Sequence, residues 1–95
     1  MKIFATDQFD NWFRELRDRR APLRIQVRID RAEDGNLGDH HAIGKGVSEM
    51  RMDYGPGYRI YYTLRRQKLV ILLAGGDKST QANDIKTAQA LADSV

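Results

Sequence analysis

Arg51, Arg59, Tyr61 and Arg65 are the residues whose types and spacing most suggest chemistry. They stand at odd positions in two alternating runs, VSEMRMDY and YRIYYTLR, separated by Gly55-Pro56-Gly57. A period of two places odd and even positions of a strand on opposite faces. Ser48, Met50, Met52 and Tyr54 then share one face, and Tyr58, Ile60, Tyr62 and Leu64 another, both mostly apolar. Glu49, Arg51 and Asp53, with Arg59, Tyr61, Thr63 and Arg65, form the polar side. A guanidinium offers a planar fork of donors that matches phosphate, and a phenol can stack on a base or donate a hydrogen bond. Lys78, in GGDKST just past a long apolar run, can reach the same region from that strand's end. The plainer reading is a solvated strand face with cross-strand ion pairs such as Asp53 with Arg59.

The register of this hairpin decides which side chains meet. A three-residue loop, Gly55-Pro56-Gly57, pairs Tyr54 with Tyr58 and keeps both apolar sets on one side. Met52 then faces Ile60 and Met50 faces Tyr62. On the polar side Asp53 faces Arg59, Arg51 faces Tyr61, and Glu49 faces Thr63. A four-residue loop mixes the faces unless a bulge restores them.

Charge agrees with a polyanion partner. Net charge is +3, but from Gly44 to Lys68 six basic residues oppose two acids, whereas from Asp7 to Asp34 seven arginines balance seven acids. A local basic patch suits RNA, DNA or an acidic protein tail. Lys45 and Arg65 extend that stretch and are candidate RNA contacts, with Tyr61. The chain has 95 residues and no cysteine, so it is expected to be one domain spanning residues 1–95, without disulfides. The opening MKIFATDQFDNWF has no long apolar run, and a cytoplasmic protein away from membranes is expected.

The elements that must position these groups follow from periodicity. KIFA suits a short strand, and Thr6 or Asp7 can cap a helix carrying Phe9, Trp12, Phe13 and Leu16 on one face. APLRIQVRIDRAEDG is ambiguous: Leu23, Ile25, Val27 and Ile29 alternate as in a strand, while Ile25, Ile29 and Ala32 fit a helix. Propensity, Pro22 in a first turn and Gly35 at the end favour the helix. GNLGDHHAIGKG is a turn-rich connection in which HAI can add a strand. KLVILLAGG reads as a central strand covered on both faces. STQANDIKTAQALADSV reads as a final helix capped by Ser79 or Thr80, with Ile85, Ala88 and Leu91 or Ala92 on its apolar side. Segregated helices and a hairpin-linked sheet make an α+β fold.

MRMDYGPGYRIYY followed by LVILLAGGDKSTQANDI resembles the RelE/ParE superfamily of bacterial toxins, in particular the HigB-like branch of addiction-module killer proteins. The resemblance covers nearly the whole chain. It implies an N-terminal helical hairpin packed on a small antiparallel sheet with a C-terminal helix. It implies a cognate antitoxin of helix-turn-helix type in a hetero-oligomer. It implies translation inhibition by an mRNA interferase, since RelE-type members cut mRNA on the ribosome without a metal, whereas ParE-type members poison DNA gyrase. A non-nuclease gyrase poison or an inactive relative are the alternatives. The family's arginine after the Gly-Tyr step corresponds to Arg59, a basic residue on the preceding strand to Arg51, and one after the central strand approximately to Lys78. RelE carries a further basic residue where this chain has Glu49, and a tyrosine near the start of its last helix where this chain has Asn83, Asp84 and Ile85.

Metal-free RNA cleavage requires a deprotonated 2′-hydroxyl in line with its phosphate, stabilised phosphate charge and a proton for the leaving oxygen. On the resemblance, Arg59 is the main phosphate clamp and Arg51 its helper. Lys78 clamps a second phosphate or moves protons. Glu49 is a candidate general base, or only a cross-strand partner. Asp77 suits a turn or helix cap. His40 and His41 are adjacent, point apart and lack a third ligand, so no metal site or cofactor is expected; His41 can serve as an acid or base. GGDKST lacks the order and spacing of a P-loop.

Overall fold

A computed structural model describes residues 1–95. In chain order the elements are β1 (Lys2–Ala5), α1 (Asp7–Arg14), α2 (Ala21–Glu33), β2 (His40–Gly44), β3 (Val47–Arg51), β4 (Tyr58–Arg65), β5 (Leu69–Asp77), a 3₁₀ turn (Lys78–Thr80) and α3 (Gln81–Ser94). The sheet order is β1-β5-β4-β3-β2. The α+β expectation holds, but the sheet is mixed rather than wholly antiparallel, because β1 runs parallel to β5. The reason is connectivity: α1 and α2 intervene between β1 and the rest, so no hairpin forces an antiparallel pairing.

Local chemistry explains the helices. Thr6 starts α1: its hydroxyl accepts from the Phe9 amide at 3.2 Å and donates to the Leu73 carbonyl at 2.7 Å, tying the helix to β5. Asp7 and Asp10 favour the positive N-terminal end. In the ambiguous segment helical spacing wins, burying Ala21, Ile25, Ile29 and Ala32 on one side. Leu23 and Val27, which supply the strand-like alternation, are left exposed.

Two cores result. Phe9, Ile25, Ile29, Met50, Ile60, Tyr62 and Leu72 fill the space between α1, α2 and one sheet face. Val47, Tyr61, Ile71, Leu73, Ala88 and Ala92 fill the space under α3 on the other. The odd-numbered face, expected to be open to solvent, is therefore half covered by α3. Between Tyr61 and Tyr62 the β4–β5 register shifts, leaving Leu73 without a ladder partner. That bulge helps turn Leu73 and Ala74 both toward α3.

Gly75 and Gly76 follow the bulge. A Cβ on Gly75 would collide with the Trp12 ring, and one on Gly76 with Asp84 and Thr80. The two glycines let α1 and the start of α3 close on β5 from opposite sides.

The hairpin has the expected faces in a different register. Met50 pairs with Ile60, Arg51 with Arg59, Glu49 with Tyr61 and Ser48 with Tyr62. The Met52 amide bonds the Tyr58 carbonyl at 3.0 Å, so the connection is longer than the three-residue Gly55-Pro56-Gly57 loop. A shift of two residues preserves facing but changes every partner. The loop is held outside the ladder by Tyr54, whose hydroxyl donates to Asp18 at 2.8 Å and whose ring stacks against Tyr58.

Two outcomes are expected. Nuclear Overhauser contacts should link Met50 to Ile60 across the strands; cross-peaks joining Met52 to Ile60 as direct partners would return the hairpin to the shorter loop. Gly75→Ala should cost about 1–3 kcal/mol in urea unfolding, because the rigid Trp12 ring must move. Stability equal to the parent would contradict that closeness.

Candidate phosphate-binding cleft

The observed register places Arg51 directly opposite Arg59. Like charges opposite one another destabilise a sheet unless a counter-charge or ligand neutralises them. Only one receives a carboxylate: Arg51 Nε donates to Glu49 Oε1 at 2.7 Å. The anticipated Asp53–Arg59 ion pair does not form, and Arg59 Nε is buried with no partner in the protein. Lys78 enters from the 3₁₀ turn. Its Cβ lies 3.5 Å from where a Cβ on Gly57 would stand, so the loop before β4 abuts it.

A concavity of about 350 Å³ opens among Asp39, Arg51, Asp53, Gly57, Arg59 and Lys78. The structure thus brings together the three cations singled out from the sequence. Asp77, as expected, is a cap: its carboxylate accepts from the Ser79 amide at 2.8 Å and sets the turn that delivers Lys78.

Other assignments are corrected. Glu49 is fully buried, with Arg51 on one oxygen and Gln81 Nε2 at 3.2 Å from the other. A base must reach the substrate proton, and both Glu49 oxygens are enclosed and already bonded, so its position does not suit the general base expected of it; what it does here is hold Arg51 in place. Tyr61 is fully buried against α3 and cannot stack on a base. Arg65 donates to the carbonyls of Ala92 at 2.9 Å and Val95 at 3.0 Å, which ties it to the C-terminal end of α3, away from the cleft. Lys45 lies in the β2–β3 turn, at the opposite end of β3 from Arg51, and takes no part in the cleft.

Sequence reasoning missed Arg28, Asp39 and Gln81. Arg28 reaches from α2 to the carbonyls of Arg51, Leu37 and Asp39, pinning the cleft's edge from behind. Burial lowers its pKa from the ordinary arginine value. Asp39 bonds Arg51 through its backbone at 2.9 Å and holds His41 Nε2 at 3.0 Å through its carboxylate. His40 Nδ1 instead meets the Gly38 carbonyl at 2.8 Å. These contacts join distant segments, and no local spacing announces them.

Residues 11–93 match the family model described as "Phage derived protein Gp49-like (DUF891)". The chain belongs to this Gp49-like family, a toxin-like family related to the RelE/HigB type. It is 47% identical over 92 residues to an uncharacterized protein of Haemophilus influenzae, covering 97% of this chain and 93% of that one.

Tyr61 supports a prediction. Burial first, then Glu49 and Asp84, push its phenol far above the ordinary tyrosine range. In the unfolded chain a phenol ionises near pH 10, so above about that pH the unfolded state has lost a proton that the folded state keeps. This contribution is complete below the unfolded pKa and is lost as pH rises toward the folded one. The Tyr61 hydroxyl also finds no partner in the protein. Tyr61→Phe should therefore gain about 1 kcal/mol near neutral pH and flatten the alkaline loss. Urea melts at about pH 7 and about pH 11 compare the two forms; a destabilised variant with an unchanged alkaline fall would contradict this account.

Proposed function

We propose that this protein is the toxin of a toxin–antitoxin module, an endoribonuclease that cuts translated mRNA in the cytoplasm and is neutralised by a cognate antitoxin. The observation that carries this reading is the convergence of Arg51, Arg59 and Lys78 on one cleft, with Arg59 free of any carboxylate. Membership of a toxin-like family supports the toxin role. No helix is long and apolar enough to cross a membrane.

In this reading the scissile phosphate sits on Arg59, whose orphaned Nε lies beside it, and charge developing on the phosphate is shared with Arg51. Glu49 and the Arg28 contact keep Arg51 from swinging away. Lys78 holds a neighbouring phosphate or supplies a proton to the departing 5′-oxygen. Asp39 lines the cleft, and His41, bonded to its carboxylate just outside the lining, is the group suited to take the 2′-hydroxyl proton. The 2′-oxygen then attacks phosphorus as the bond to the 5′-oxygen breaks, leaving a cyclic phosphate and a 5′-hydroxyl.

Arg59→Ala is the informative variant, because Arg59 forms no ion pair whose loss would unfold the site. Induction of the parent should arrest growth and leave new, codon-spaced 5′ ends on a translated reporter mRNA. Arg59→Ala should lower cleavage by about 100-fold or more, as when one essential charge-stabilising donor is removed. Growth arrest with intact transcripts would reject mRNA cleavage, and inhibition of gyrase supercoiling would then identify the alternative target.

A further inference from the structure

We propose that the outer face of α2 is a docking surface for an acidic, amphipathic segment of a partner protein. Arg20, Leu23, Arg24, Val27 and Arg31 recur at helical spacing, opposite the buried Ala21, Ile25, Ile29 and Ala32. Leu23 is 72% exposed and Val27 40%. A single exposed aliphatic residue is ordinary. Here two stand one turn apart within a border of arginines.

None of Arg19, Arg20, Arg24 or Arg31 forms an ion pair; the two salt bridges lie elsewhere. Arg24 instead rests over the Tyr54 ring at 4.2 Å. Between Asp7 and Asp34 arginines and acids are equal in number, so folding alone gathers positive charge on this face. The nearby acids do not cancel this charge: Asp18 is bonded to Tyr54 and the Arg20 amide, Asp30 accepts from Gln26, and Asp34 and Asp53 stand at the margins, unpaired with the arginines.

The surface is also concave. A hollow of about 510 Å³ runs over Arg19, Arg20, Leu23, Arg24 and Val27. A second, of about 280 Å³, continues from Arg24 and Val27 past Arg31 to Met52 and Tyr54. The shared walls make one trough along α2. A helix with apolar side chains one turn apart and carboxylates on its flanks would satisfy both the aliphatic floor and the arginine border. A nucleic acid would satisfy the arginines but gain nothing from Leu23 and Val27.

This surface does not depend on what the cleft catalyses. The two are neighbours, because Met52 and Asp53 line both the trough and the Arg51–Arg59–Lys78 cleft. A segment seated on α2 would lie against the cleft's rim.

The test is selection of random helical peptides on the full-length protein, counter-screened against Leu23→Asp/Val27→Asp and Arg19→Glu/Arg31→Glu. All four side chains are exposed, and circular dichroism checks that both variants stay folded. Enriched peptides should be rich in Asp and Glu, carry apolar residues at helical spacing, and weaken about ten-fold or more on either variant. Their binding should fall with added salt. No enrichment, or peptides that bind Leu23→Asp/Val27→Asp as tightly as the parent, would overturn the proposal. So would an RNA oligonucleotide whose binding is lost with Arg19→Glu/Arg31→Glu yet unchanged with Leu23→Asp/Val27→Asp, which would make this a nucleic-acid surface. The selection reads binding alone, so its outcome is separable from that of mRNA cleavage.

Discussion

A carboxylate with no access to water underlies the arrangement. Glu49 lies inside the second core, where an unpaired charge is strongly disfavoured. Its two oxygens are met by Arg51 from the same strand and Gln81 from the first turn of α3. The acid thereby fixes the helix over the sheet and the guanidinium at the helix's edge. Where α3 stops covering the sheet, the cleft begins.

The rest of the packing serves that boundary. The β5 bulge and Gly75-Gly76 let helices approach from both faces without lengthening the strand. Arg28 does the corresponding work from the α2 side, joining the end of β3 to the chain entering β2. Arg51 is thus oriented from two sides, while Arg59 opposite it is left with donor capacity unused. An oriented cation beside an uncommitted one is a surface prepared for an anion, because little reorganisation remains when the anion arrives.

Much of this was legible in the sequence. The strands, the three helices and the division of the hairpin into two faces follow from periodicity, which local steric rules enforce. Arg51, Arg59 and Lys78 were identifiable because polar side chains on one strand face and a strand-end loop point to one region. The partners were not legible. Gly-Pro-Gly suggested the tightest loop, but Tyr54 finds Asp18 and Tyr58 outside the ladder, and the register moved by two. Tyr61 and Glu49 looked solvent-facing because alternation assigns a side without saying what covers it. A helix rich in alanine, such as α3, carries too weak an apolar signal to reveal where it will lie.

The parallel pairing of β1 with β5 has a consequence for biosynthesis. The first strand made must wait for the last strand before it can take its final place at the sheet's edge. Contacts of such long sequence separation form late and slowly. Lys78 and Gln81 leave the ribosome later still, so the cleft cannot be completed on a nascent chain until nearly all of it has emerged. A truncated translation product would carry both arginines and yet lack the strand, the cation and the helix that turn them into a site.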